Sequence, residues 1–112
     1  GKQAEFHGMI EEGKDVWTCS MYEVAPYTSR VSFDLVSPGK QHLKHASPQV
    51  YARFGAYPTA SDFDVTTAVG GNTWSPSVSV DLPKSGVWYV CCHVHRLLHA
   101  PKMDVVIAVS AQ

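Results

Sequence analysis

Apolar and polar residues alternate in short runs along this chain, and a two-residue period predicts β-strands with one buried face. In chain order, the predicted strands are Ala4–Ile10, Asp15–Val24, Val31–Leu35, Val50–Ala56, Phe63–Thr67, Val78–Leu82, Val87–His95 and Met103–Ser110. In the second strand the alternation groups Trp17, Cys19 and Met21 on one side, and we expect that side to face the core. In the last strand, Val105 and Ile107 mark the inner face.

Turn-forming residues separate these strands, and no long segment has the 3.6-residue period of an amphipathic helix. The chain has seven prolines and eight glycines in 112 residues, a length typical of one domain. Short strands with frequent turns favour two packed antiparallel sheets. We therefore predict that residues 1–112 form a single all-β domain, a jelly-roll-like antiparallel β-sandwich of about eight strands.

The charge balance bears on possible partners. Nine basic and ten acidic residues give a net charge of −1, and no basic cluster is present. This composition argues against a nucleic-acid-binding surface, which needs clustered positive charge. No apolar run approaches the ~20 residues that a membrane span requires. The partners that remain are proteins or polymeric ligands.

Three cysteines leave two interpretations of the redox state open. An odd number is unusual in a disulfide framework, and disulfides are rare in reducing compartments. We expect buried free thiols, which favour a cytoplasmic location. The alternative is a disulfide from Cys19 to Cys91 or to Cys92, with one thiol left free.

Five short motifs lie in the central part of the chain. They are Y-A-R-F-G at Tyr51–Gly55, P-T at Pro58–Thr59, D-F-D at Asp62–Asp64, G-G-N at Gly70–Asn72 and G-V-W-Y-V at Gly86–Val90. Together they resemble the bacterial pre-peptidase C-terminal domain, a secreted β-sandwich appended to peptidases and collagenases. The family's domain is non-catalytic, so the resemblance implies a binding module and favours secretion.

Some members of that family bind calcium through acidic residues near the start of the domain. Glu11, Glu12 and Asp15 lie in that region here, but their spacing matches no calcium-binding loop. Calcium is therefore less favoured as a cofactor than the transition metals considered next.

The segment Cys91–His99 departs from the family pattern because it is rich in cysteine and histidine. On a strand, His93 and His95 share one face roughly 6–7 Å apart, so both imidazoles can reach one metal ion. His99 could add a nitrogen and Cys91 or Cys92 a thiolate, which are ligands that suit zinc or copper. The competing interpretation places Cys92 in the core and leaves the histidines on the solvent side.

A copper site of the cupredoxin type is a narrower version of the metal hypothesis. It would combine Cys92, His95 and an axial Met103 with an upstream His42 or His45. The separation between His95 and Met103 is longer than the corresponding loop of cupredoxins, and the centre of the chain does not resemble them.

Surface loops supply the remaining candidates. The segment 37–48 holds prolines, a glycine, lysines, His42 and His45, a composition typical of a solvated loop, where binding residues often lie. Trp74 could stack on a carbohydrate or pack on a protein. No cysteine–histidine pair is placed for nucleophilic catalysis, so we predict no enzymatic activity. The sequence predicts a non-catalytic binding module, with a zinc or copper protein as the alternative.

Overall fold

The computed structural model describes residues 2–11, 15–36, 48–67, 76–94 and 102–112, with backbone alone at positions 2, 102 and 103. The strands are β1 (Lys2–Glu11), β2 (Val16–Val24), β3 (Arg30–Val36), β4 (Gln49–Phe54), β5 (Val65–Thr66), β6 (Ser77–Asp81), β7 (Gly86–Val94) and β8 (Lys102–Ala111). Every predicted strand is present, although β5 is much shorter than predicted. Among the described residues there is no helix long and apolar enough to span a membrane.

The strands form two four-stranded antiparallel sheets, in the orders β1-β8-β3-β6 and β2-β7-β4-β5. Consecutive strands lie in opposite sheets, except β4 and β5, which are neighbours in one sheet. This alternation between two sheets is the jelly-roll arrangement. The predicted all-β sandwich is confirmed.

Inward-facing aliphatic side chains of both sheets form the core. Val31, Phe33 and Leu35 of β3 are fully buried, because alternate residues of a strand point to the same face. Val105 and Ile107 of β8 are buried beside them, which confirms the predicted inner face of the last strand. The opposite sheet contributes four side chains of β7, namely Trp88, Val90, Cys92 and Val94.

The predicted orientation of β2 is wrong. Trp17, Cys19 and Met21 are exposed on the outside of the sheet, whereas Thr18 points towards the interior. The reason is that β1 and β2 approach closely at this edge of the sandwich. A Cβ atom on Gly8 of β1 would lie only 2.1 Å from Cγ2 of Thr18. At this point the space between the strands holds only small side chains, and Trp17, Cys19 and Met21 point outwards. Further along β2, Tyr22 packs against the core.

Candidate functional site: the outer face of one sheet

The outer face of the β2-β7-β4-β5 sheet carries a set of large side chains brought together by strand register. Three rows cross this face: Trp17–His93–Gln49, Cys19–Cys91–Tyr51 and Met21–Tyr89–Arg53. Directly paired residues of antiparallel strands project to the same side of the sheet, so all of these side chains share one face. We call these rows, with Tyr57, Phe63 and Val87 at their margin, the aromatic face.

A chain of ring contacts holds one end of the aromatic face together. Trp17 stacks on His93 with ring centroids 4.1 Å apart, and it tilts against Tyr51 at 5.3 Å. Phe63 meets the other side of Tyr51 edge-on, also at 5.3 Å. Tyr51 is consequently only 5% exposed although it lies on the outside of the sheet. Its hydroxyl donates to Oε1 of Gln49 at 2.6 Å, which fixes the ring.

The other end of the face combines a tyrosine pair with a cation. Tyr57 packs edge-on against Tyr89 with centroids 4.6 Å apart. Arg53 pairs with Asp62 at 3.0 Å and also donates to the carbonyl oxygen of Tyr57 at 3.4 Å. These contacts tie the segment between β4 and β5 to the sheet. Met21, 51% exposed, lies beside Tyr89 in the same row.

His93 is held from two directions. Its ring stacks on Trp17, and its Nε2 lies 2.5 Å from Oδ1 of Asp15. The side chain of His93 is 18% exposed, against 58% for Asp15. The imidazole is therefore a packed part of the aromatic face, with its orientation fixed by a carboxylate.

A disulfide forms part of this face. Cys19 and Cys91 are directly paired residues of β2 and β7, and their sulfur atoms are bonded. Cys92 is the free cysteine among the described residues; it is buried on the core face of β7, where burial raises the pKa of its thiol to about 12. The expectation of three free thiols is wrong, so it no longer supports a cytoplasmic location. A Cys19–Cys92 bridge is also ruled out, because the two residues point to opposite faces of the sheet.

The predicted metal-binding set is only partly described. His93 and Cys92 project from opposite faces of β7, so the proposal that both bind one metal ion needs correction: Cys92 cannot join His93 in a single site. His95 and His99 lie outside the described residues, and the side chain of Met103 does too. Within the described ranges, no group of three or more His, Cys, Asp or Glu side chains could hold a metal ion. Zinc or copper binding by the histidines stays a prediction.

The predicted contact residues His42, His45 and Trp74 lie outside the described residues as well. Sequence reasoning missed Trp17 and Met21 as surface residues, because their alternation resembles that of a core strand. The signal that could have identified them is register: Trp17 and Met21 flank Cys19, and pairing that cysteine with Cys91 places all three outside.

The outer face of the other sheet provides an internal comparison. It is mostly polar, with hydrogen-bonded side chains such as the Ser32–Ser79 pair at 3.2 Å and Arg30, which donates to Ser79 at 3.0 Å. Met9 and Val36 are its large exposed apolar residues within the described chain. The aromatic face has five of comparable exposure, namely Trp17, Met21, Tyr57, Phe63 and Val87. Of the two outer sheet faces, the aromatic face thus carries most of the exposed apolar side chains, while Tyr27 and Leu82 lie outside the strands.

No protein-family model matches this sequence, and no curated protein matches it. Solved structures match its fold along almost the whole chain. The pre-peptidase C-terminal domain of a collagenase from Bacillus anthracis has a TM-score of 0.62 at 9% identity, covering 96% of this chain and 88% of that chain. The periplasmic inhibitor of g-type lysozyme from Aeromonas hydrophila, PliG, has a TM-score of 0.52 at 13% identity, covering 98% of this chain and 86% of that chain.

A third similar structure is the lipase BlEst2 from Bacillus licheniformis in its propeptide form. It has a TM-score of 0.58 at 13% identity and aligns with 97% of this chain, which corresponds to 21% of the lipase chain. These likenesses show that the chain has the fold of a pre-peptidase C-terminal domain, as its central motifs predicted. At such low identities they establish the fold alone.

Proposed function

We propose that this chain is a non-catalytic module that binds another protein through the aromatic face. The observation that carries the proposal is the concentration of half-exposed apolar side chains on one outer sheet face. In a two-layer sandwich, the outside of a sheet is normally polar because it faces water, as the opposite side of this molecule is. A contiguous apolar patch on such a surface marks an interaction site.

The composition of the face favours a protein over a sugar polymer. Protein interfaces are enriched in tryptophan, tyrosine, phenylalanine, methionine and arginine, and each of these is present. Met21 and Val87 offer aliphatic surface that suits another apolar surface rather than the hydroxyl groups of a polysaccharide. Trp17 and Tyr89 are already fixed by ring contacts, so little side-chain entropy is lost when they become buried.

Cysteine chemistry argues against a thiol enzyme. Cys19 and Cys91 are consumed by the disulfide, and the thiol of Cys92 is buried with its pKa raised to about 12, so none supplies a thiolate near neutral pH. The disulfide also supports a protein that works in an oxidising compartment, where such bonds persist. The fold is compatible with this role, since one protein that shares it, PliG, is an inhibitor of another protein.

A matched pair of substitutions tests the proposal. Met21 on the aromatic face and Met9 on the polar face are 51% and 48% exposed, so Met21→Lys and Met9→Lys introduce the same charge on similar surfaces. The wild-type protein and both variants are immobilised and offered secreted and periplasmic proteins, and each retained protein is then purified and titrated by calorimetry. We expect Met21→Lys to weaken binding at least about tenfold, whereas Met9→Lys binds like wild type.

Two outcomes contradict the proposal. One is a set of retained proteins that bind Met21→Lys and Met9→Lys with equal affinity, which would place the interface elsewhere. The other is that wild type binds a soluble polysaccharide, that Met21→Lys abolishes this binding, and that no protein binds through the same face. Circular dichroism spectra and melting temperatures that match wild type establish that both variants are folded.

A further inference from the structure

Strand β2 forms an edge of its sheet, and it lacks the features that usually protect an edge. Among the described strands it pairs with β7 alone, and it is nine residues long. Its sequence, V-W-T-C-S-M-Y-E-V, contains no proline, no lysine and no glycine. Natural edge strands are usually short, or they carry lysine, proline or a bulge that prevents pairing with another chain. A long regular edge of this kind is a template for a further strand.

The disulfide identifies which backbone groups point away from the sheet. The Cα atoms of Cys19 and Cys91 are 4.0 Å apart, which is the spacing of a non-hydrogen-bonded pair in an antiparallel ladder. The N–H and C=O groups of Cys19 therefore point away from β7, towards the free edge. The same follows for residues two positions apart along the strand, which are Trp17, Met21 and Glu23.

Among the described residues, no backbone group forms a hydrogen bond with these edge-pointing N–H and C=O groups. Outside the sheet ladders, no backbone hydrogen bond among the described residues involves Val16–Val24. The bond between Cys19 and Cys91 also ties the strand covalently to the centre of its sheet. The edge is thus held in the extended conformation that a further strand needs, so pairing requires little new ordering.

We propose that β2 pairs antiparallel with β2 of a second copy of this chain. A symmetric dimer requires a self-complementary strand, in which each edge-pointing residue meets another edge-pointing residue. The register that pairs all nine residues places Val16 opposite Val24 and Ser20 opposite Ser20 of the second copy. In that register the edge-pointing groups of Met21 meet those of Cys19, and the groups of Trp17 meet those of Glu23.

Charge selects this register over the one centred on Cys19. A shift of two residues, centred on Cys19, would also match the edge-pointing groups, but it would place Asp15 opposite Glu23 of the second copy. Like charges that face each other directly across strands are destabilising. A shift of one residue would instead place edge-pointing residues opposite residues whose N–H and C=O groups point to β7, so no ladder of hydrogen bonds could form. The opposite shift, centred on Met21, also matches the edge-pointing groups, but it pairs only residues 18–24 of β2. The full-length register avoids each of these penalties.

Pairing of this kind joins the two β2-β7-β4-β5 sheets into one continuous sheet with two aromatic faces side by side. It concerns the strand edge rather than the face, so it does not depend on the proposed protein partner. Dimerisation and binding through the aromatic face are measured separately.

The test uses the backbone N–H of Met21, which points towards the edge and away from β7. Met21→Pro removes an edge-pointing donor and leaves the ladder to β7 intact, because that N–H does not point to β7. Sedimentation equilibrium should show a dimer for wild type and at least about tenfold weaker association for Met21→Pro, since each dimer loses the bond twice. Met21→Ala keeps the N–H and is the matched control, which should still dimerise.

A second variant keeps the proposal testable if Met21→Pro does not fold. Ser20→Cys places a thiol next to its own symmetry mate, so non-reducing electrophoresis should show a covalent dimer. Thr18→Cys, which would face Tyr22 of the second copy, should give none. Wild-type protein that remains monomeric at the highest soluble concentration overturns the proposal. A dimer that survives Met21→Pro, or that gives no cross-link at Ser20→Cys, overturns it as well.

Discussion

Removing the Cys19–Cys91 disulfide should destabilise the domain by a large and calculable amount. The double variant Cys19→Ala, Cys91→Ala deletes a bond between residues 72 positions apart. For a loop of that length the loss of chain entropy corresponds to about 4 kcal/mol at 25 °C. Domains of this size are stable by only about 5–15 kcal/mol, so the variant should unfold far more readily than wild type.

Thermal and urea unfolding, followed by circular dichroism and tryptophan fluorescence, measure the effect. A loss of 4 kcal/mol corresponds to a fall in melting temperature of roughly 15 °C for a domain of this size. Wild-type protein treated with dithiothreitol should fall to the level of the double variant. The double variant should not respond to the reductant, which is the control for effects on other groups.

Thiol counting by mass spectrometry completes the test. Folded wild-type protein should not react with iodoacetamide near neutral pH, since two sulfurs are bonded and the thiol of Cys92 is buried with its pKa raised to about 12. After unfolding without reductant, one cysteine should become reactive. Three reactive cysteines on unfolding, together with equal stability in the presence and absence of dithiothreitol, would refute the disulfide and restore the interpretation of free thiols.

Two further predictions concern the sheet edge and the histidines. Gly8→Ala should lower the free energy of unfolding by about 1–3 kcal/mol, because the new Cβ would overlap Cγ2 of Thr18. The double variant Gly8→Ala, Thr18→Ser lacks that methyl group and should recover most of the lost stability in urea unfolding. Wild-type stability of Gly8→Ala alone would contradict the close approach of β1 and β2. Elemental analysis tests the alternative of a metal-binding protein. Stoichiometric zinc or copper in wild type that is lost in His93→Ala, His95→Ala and kept in Cys92→Ala would support that alternative, whereas metal-free wild-type protein would contradict it.

The amino-acid sequence by itself determined the secondary structure and the fold class. Period-two alternation located most strands, because a strand with one buried face must place apolar residues at every second position. Strand β4 was located instead by being apolar on both faces, and its consecutive residues Val50, Tyr51 and Ala52 are all buried. It also identified the inner faces of β3 and β8, where Phe33 and Ile107 face the core. The turn and core residues between Val50 and Val90 indicated the type of sandwich.

The tertiary structure alone decided which side of β2 is outside. Alternation divides a strand into two faces, but it does not say which face is buried when both are compatible with a core. Trp17 and Met21 form as apolar a set as most core faces. The choice depends on the space between β1 and β2, where Gly8 meets Thr18, and sequence periodicity carries no information about that distance.

The disulfide and the aromatic face depend on the same kind of information. From the sequence alone, Cys19 could pair with Cys91 or with Cys92. The register of β2 against β7 places Cys91 directly opposite Cys19, whereas Cys92 faces the core. Trp17, Tyr51 and Phe63 are far apart in the chain, and only sheet pairing brings their rings into contact. Local sequence specifies each strand, whereas the contacts between strands that create a binding surface arise only when the sheets assemble.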